Sequence, residues 1–213
     1  MTTLLLRLEG PMQSWGTQSR FSDRDTGYEP SKSGVLGLLC AALGRPRSAD
    51  LSDLTALRMG VRVDRPGALA RDYQAVGAGY PEVDKRGKPT GKKTEAVVVA
   101  HRSYLADASF LVGLEGEPAL LRELDAALRR PRWQLYLGRK AFVPSQPVPR
   151  GLRDLPLHEA LSDASEPASE RATDRLLVIE SSTTTGTQVR LDTPLSFSER
   201  IYTPRHVTVE VIP

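Results

Sequence analysis

A strand pattern, a capped helix and a second strand follow one another within the first 63 residues, and this order most restricts the fold. Thr3-Leu4-Leu5-Leu6-Arg7-Leu8 is an apolar run of strand length. Residues Glu9 to Gly16 carry two glycines and a proline beside Gln13 and Trp15, and read as a loop. Pro30-Ser31-Lys32-Ser33-Gly34 announces a helix over about Gly34–Leu43, with Ser33 as N-cap and Gly44 as its stop. Its apolar stripe is Val35, Leu36, Leu38, Leu39, Ala42 and Leu43. A short helix over Leu51–Leu57 with Asp50 as cap precedes Met59–Val63, which alternates apolar with small or polar residues as a strand does.

Downstream, Gly77 to Thr94 is rich in glycine, proline and charge and predicts a protruding hairpin. Val97–Tyr104 and Ser109–Leu114 read as two strands joined by a tight turn near Ala106-Asp107. Pro118 opens a helix carrying Leu120, Leu121, Leu124 and Leu128; Arg129 and Arg130 suit its C-terminal dipole, and Pro131 ends it. Trp133–Lys140 predicts a strand running into a glycine turn at Gly138. Ser162–Asp174 reads as a solvated linker, and Leu176–Glu180, Gln188–Leu191 and Val207–Ile212 as short strands. A βαβ unit followed by ββα predicts an α+β, ferredoxin-like domain, the order also used by RNA-recognition modules. The expected division is residues 1–150 as this domain, with an insertion at about 77–96, and 151–213 as a small β-rich extension.

Charge is nearly balanced, with 29 basic and 26 acidic residues, but it is unevenly placed. Seven basic residues and no acidic one lie between Arg129 and Arg153, and five and none between Lys85 and Lys93. Such blocks point to a polyanionic partner. Cys40 is the only cysteine and sits among apolar residues, so it reads as a core residue. The N-terminal apolar run is too short for a signal peptide and no segment is long enough to span a bilayer, so a reduced, cytoplasmic setting is expected.

No Walker loop, dinucleotide fingerprint, nucleophile elbow or cysteine zinc site is present, and no metal or other cofactor is expected. Arg139-Lys140 after Gly138 is either a solvated basic pair or a phosphate grip. Lys85, Lys88, Lys92 and Lys93 either keep a loop soluble or arm it to close over a strand of nucleic acid. His101, with Tyr104 and Lys93, could supply the acid and base of a metal-independent ribonuclease, or His101 is structural. Trp15 is either a core anchor or a stacking platform. Lys32 and the free N–H groups at the helix start suit phosphate.

Five separated blocks occur in a familiar order: Leu6-Arg7-Leu8-x-Gly10-Pro11-Met12-Gln13-x-Trp15-Gly16; Pro30-x-x-Ser33-Gly34-x-Leu36-Gly37-Leu38-Leu39; Arg71-Asp72-Tyr73; Arg102-x-Tyr104-Leu105-x-Asp107-Ala108-Ser109-Phe110; and Pro131-Arg132 followed by Tyr136-Leu137-Gly138-Arg139-Lys140. Over residues 3 to 145 the chain resembles the CasD family of the RAMP superfamily, CRISPR-associated subunits of the type I-E Cascade surveillance complex that serves antiviral defence. The resemblance implies a ferredoxin-like domain with a protruding thumb, here about 77–96. It implies a non-catalytic subunit that holds the 5′ handle of the guide RNA and caps a filament of backbone subunits. Implied partners are the guide RNA, a CasC-type backbone subunit and a CasA-type large subunit, with target DNA met only through the assembled complex. Arg102, Tyr136, Gly138, Arg139 and Lys140 would face the handle. Gln13, Trp15, Lys32 and Ser33 would form the opposite wall, with Arg24 and the thumb lysines as further contacts. A related type I-C protein that cleaves repeat RNA keeps the nuclease alternative.

Overall fold

The computed structural model describes residues 1–16, 23–76, 79, 81–93, 97–163, 175–181 and 186–212. In chain order the elements are β1 (Thr2–Gln13), β2 (Asp23–Arg24), α1 (Lys32–Leu43), α2 (Ser52–Thr55), β3 (Arg58–Arg65), β4 (Ala68–Val76), β5 (Pro81–Val83) and β6 (Pro89–Lys93). There follow β7 (Val98–Gly116), α3 (Pro118–Arg129), β8 (Pro149–Arg153), α4 (Leu157–Ser162), β9 (Arg175–Glu180), β10 (Gln188–Ser196) and β11 (Ile201–Ile212).

One sheet runs in the order β10-β11-β9-β3-β7-β1-β8. Four contiguous strands at one end of it, β3-β7-β1-β8, are all antiparallel neighbours, the arrangement of a split βαβ domain. The ferredoxin-like expectation therefore holds. The last three strands continue the same sheet, since β9 pairs with β3.

Strand alternation sends side chains to two covered faces. Leu4, Leu6 and Leu8 of β1, with Phe110, Val112 and Leu114 of β7, share a core with Leu36 and Leu39 of α1 and Leu121 and Leu124 of α3. Leu5 and Leu111 turn the other way and meet Leu157, Ala160 and Leu161 of α4 with Leu177 and Ile179 of β9. That second face also buries charge. Asp64 pairs with Arg7 and, at 2.6 Å, with Arg62, whose Nη1 donates to the Leu161 carbonyl at 2.7 Å.

Several local expectations are corrected. The first strand does not stop at Leu8 but continues to Gln13, because β7 pairs with it throughout. The N-cap of α1 is Ser31, whose hydroxyl accepts from Gly34 N, while Gly44 ends the helix in the left-handed region as expected. Ala106-Asp107 is not a turn. β7 runs through it, with Asp107 at φ 55 as a local irregularity that aspartate tolerates. Trp133–Lys140 is not a strand, and β8 supplies the fourth core strand instead. The outer part of β7 pairs with β4 on one side and β2 on the other, and β5 and β6 form a separate two-stranded hairpin within the expected insertion. Most of the predicted linker, residues 164–174, lies outside the described residues. No described helix is long and apolar enough to cross a membrane.

Candidate nucleic-acid interface

The end of β1, the start of α1 and the turn around Gly138 meet at one place. Ser14 N donates to the Leu137 carbonyl at 3.1 Å, Leu137 N to the Phe142 carbonyl at 2.8 Å, and Phe142 N to the Arg139 carbonyl at 2.8 Å. The turn is thus laced to itself and pinned to β1. Gly138 takes φ 87, and a Cβ there would sit 1.7 Å from the Ser14 oxygen. Only glycine fits such an approach.

Three adjoining cavities open around this junction, and Gly138 lines all of them. The largest, about 840 Å³, lies between the β1 end, Ser31, Ser33 and Gly34 of α1, and the Phe197–Tyr202 stretch. Arg24, Arg47 and Arg200 reach into it. The second, about 300 Å³, is bounded by Ser14, Arg24, Asp25, Arg102 and Arg139. The third, about 350 Å³, continues past Arg47 to Trp133, Tyr136 and Phe197.

Short β2 explains why two of these arginines are neighbours: Arg24 pairs in register with Arg102 on β7. Arg139 donates to the Ser103 carbonyl at 2.8 Å and lies over the Phe142 ring at 5.4 Å. Burial pushes the Arg139 guanidinium below its ordinary value, and nearby Arg102 and Arg24 push the same way against Asp72 and Asp25. Arg102 Nε is buried and, among the described residues, makes no hydrogen bond. Crowded cations with an unspent buried donor favour an anion at this spot.

The opposite wall differs from its expectation. Gln13 is fully buried and donates to the carbonyls of Leu8 and Ala108 while accepting from Trp15 Nε1 at 3.2 Å. Trp15, 2% exposed, lies beneath the helix start, where a Cβ on Gly34 would come within 2.8 Å of its ring. It is a core anchor. Lys32, 1% exposed, turns inward and gives its ammonium to Glu180 at 3.0 Å and to the Thr55 carbonyl. Burial lowers its pKa and Glu180 partly restores it. Gln13 and Lys32 position the wall and line none of the three cavities, whereas Trp15, though almost wholly buried, borders the largest of them together with Ser33.

Tyr136 lines the third cavity, while Lys140 is exposed beside the turn and lines none of the three. Lys85, Lys88, Lys92 and Lys93 are exposed on or beside the β5–β6 hairpin. Of the ribonuclease set, His101 and Tyr104 point to opposite faces of their strand. His101 packs edge-on against Tyr73 at 5.4 Å, whereas Tyr104, three residues along the strand, faces the other way onto Phe142 at 6.0 Å. Among the described residues no cluster could hold a metal ion. Arg47, Arg200 and Tyr202 carry no signal in the sequence. Arg47 is one exposed arginine among many, and Arg200–Tyr202 lies outside the five motif blocks.

A family model described as CRISPR-associated protein (Cas_Cas5) matches residues 3–208. The CRISPR system Cascade subunit CasD of Escherichia coli (strain K12) is 37% identical over 160 residues, 68% of each chain. A structure described as a CRISPR RNA-guided surveillance complex contains a chain 38% identical, with a TM-score of 0.82 over 98% of this chain and 89% of that one. Another, a crystal structure of a Cas protein, is 48% identical with a TM-score of 0.76 over 99% and 95%.

Proposed function

The chain belongs to the CRISPR-associated Cas5 family, and we propose that it is the CasD-type subunit of an RNA-guided surveillance complex whose three joined cavities hold the 5′ handle of the guide RNA. The observation that carries this is the convergence of Arg24, Arg47, Arg102, Arg139 and Arg200 on cavities bounded by a helix start and a tight glycine turn. Phosphate contacts fix position and account for most of the affinity; the irregular cavity imposes a folded-back path that duplex RNA could not follow. The β5–β6 hairpin acts as a thumb toward a CasC-type backbone subunit, and the subunit caps that filament beside a CasA-type large subunit. Target DNA is met only through the assembled complex, which works in the cytoplasm.

Replacing Arg47 and Arg102 with glutamine tests the site. Removing one arginine–phosphate pair should cost about 1.5–3 kcal/mol at low salt and flatten the log–log salt slope by about 0.7. Binding titrations across a salt series with the guide's 5′ segment read both. An unchanged slope in the double variant would place the RNA elsewhere.

The role is a holding one and not catalysis, which the opposed faces of His101 and Tyr104 support. Repeat RNA incubated with the purified chain in EDTA should stay intact. Cleavage lost in His101→Ala would restore the nuclease alternative.

A further inference from the structure

The third cavity differs from the other two in kind. Three aromatic side chains, Trp133, Tyr136 and Phe197, stand around Gly37, Cys40 and Ala41 of α1, with Arg45 and Arg47 at its border. Trp133 is 51% exposed, an unusual state for the largest apolar side chain. Its main chain is not loose. Arg132 N and Trp133 N donate to the carbonyls of Ala42 and Ala41 in the last turn of α1, at 2.9 and 3.1 Å. The indole is therefore held on a fixed backbone with much of its surface left uncovered.

The slot is also continuous with the arginine-lined cavity. Ser33, Gly34, Arg47, Gly138 and Phe197 border both. A strand whose phosphates lie against the arginines would pass the mouth of the slot at Arg47. Its volume, about 350 Å³, is enough to admit one planar ring system.

Resting on the RNA-holding role above, we propose that this slot takes one unstacked nucleobase of the bound strand, sandwiched against Trp133, while Arg47 holds the adjoining phosphate. Stacking on an aromatic face is tolerant of base identity, so the slot adds affinity at one step of the strand and turns that base out of the stack without reading its sequence. The contact bends the strand at that step, which phosphate contacts along one groove do not require.

The test is an abasic scan. The 5′ segment of the guide RNA that copurifies with the chain is synthesised as a series, each member lacking one base, and titrated against the full chain. One position should stand out with about a 5- to 150-fold loss, the equivalent of 1–3 kcal/mol for one stacked base. That penalty should vanish in Trp133→Ala and persist in Trp133→Phe, which keeps a ring. The Trp133 fluorescence should be quenched by the intact segment and not by the member lacking that base; Trp133→Phe, which keeps only the buried Trp15, measures the background from the other tryptophan. Tight binding with a flat scan, or the same scan in wild type and Trp133→Ala, would overturn the slot and leave the RNA-holding role standing. No binding of any member would overturn both. If Trp133→Ala instead loses a protein subunit from the complex while the scan is unchanged, the aromatic patch is a protein contact and the slot is refuted.

Discussion

Gly138→Ala should strip the guide RNA from the complex while leaving a folded chain. Two effects act together. The backbone at φ 87 is strained for any residue with a Cβ, at about 1–2 kcal/mol. More seriously, the added methyl would lie 1.7 Å from the Ser14 carbonyl oxygen, so the two segments must separate by well over an ångström. The bond from Ser14 N to the Leu137 carbonyl would break, and the turn that aims Arg139 would swing off the end of β1. Since Gly138 borders all three cavities, the displacement reaches each of them. Misplacing the groups that jointly hold several phosphates should cost at least about 3 kcal/mol, more than a hundredfold in Kd. Gly151→Ala is the control: φ there is 89, but the nearest atoms are side-chain ends of Arg129 and Arg153 at 3.7 and 3.8 Å. It should lose about 1–2 kcal/mol of stability and keep its RNA. The ratio of 260 to 280 nm absorbance in purified complex, beside a thermal melt, separates the outcomes. Equal RNA content in the two variants would remove the Gly138 turn from the binding site.

How much of this could be read from residues follows from what each signal measures. The inner fold was legible because its cues are local: an apolar run for β1, alternation for β3, and Pro118 with a leucine stripe for α3. Expectations fail where tertiary pairing overrides local composition. Gly10 and Pro11 suggest a loop, yet β7 supplies a partner ladder that carries the strand through to Gln13. Asp107 has the chemistry of a turn residue and instead lets a 19-residue strand continue in a left-handed conformation. The Trp133–Tyr136 stretch has strand composition, but the N–H groups of Arg132 and Trp133 are claimed by the end of α1. The site divides in the same way. Motif positions at Arg102, Gly138 and Arg139 converge on the cavities, while Gln13, Trp15 and Lys32 are buried supports of the same region. A polar residue in a motif marks a place, and only packing tells whether its side chain faces the ligand or holds the wall. Arg200 and Tyr202 arrive from β11 and the turn before it, a contribution that pairing across the extended sheet decides and no local pattern announces.

The second large effect is expected on stability, at Asp64. Its side chain is fully buried and joins Arg7 of β1 to Arg62 of β3, both themselves buried. Arg7 further reaches Ser109 on β7 at 3.4 Å, and Arg62 reaches the end of α4. The cluster therefore fastens α4 over the three central strands. None of its members borders the cavities. Asp64→Ala leaves two guanidinium groups in the interior without their shared carboxylate, a loss of about 3–5 kcal/mol or more. For a domain of this size, each kcal/mol moves Tm by about 2–4 °C, so a fall of roughly 6–20 °C is expected. Asp125→Ala removes a partner from Arg129 in an exposed i,i+4 pair at 2.8 Å and should change Tm by about a degree or two at most. Replacing Arg7, Arg62 and Asp64 together by methionine, leucine and leucine should recover much of the loss, because an apolar set of similar volume removes the uncompensated charge along with the pair. A calorimetric series over the four proteins decides the matter. If Asp64→Ala melts within a degree or two of Asp125→Ala, the buried cluster does not hold α4 to the sheet.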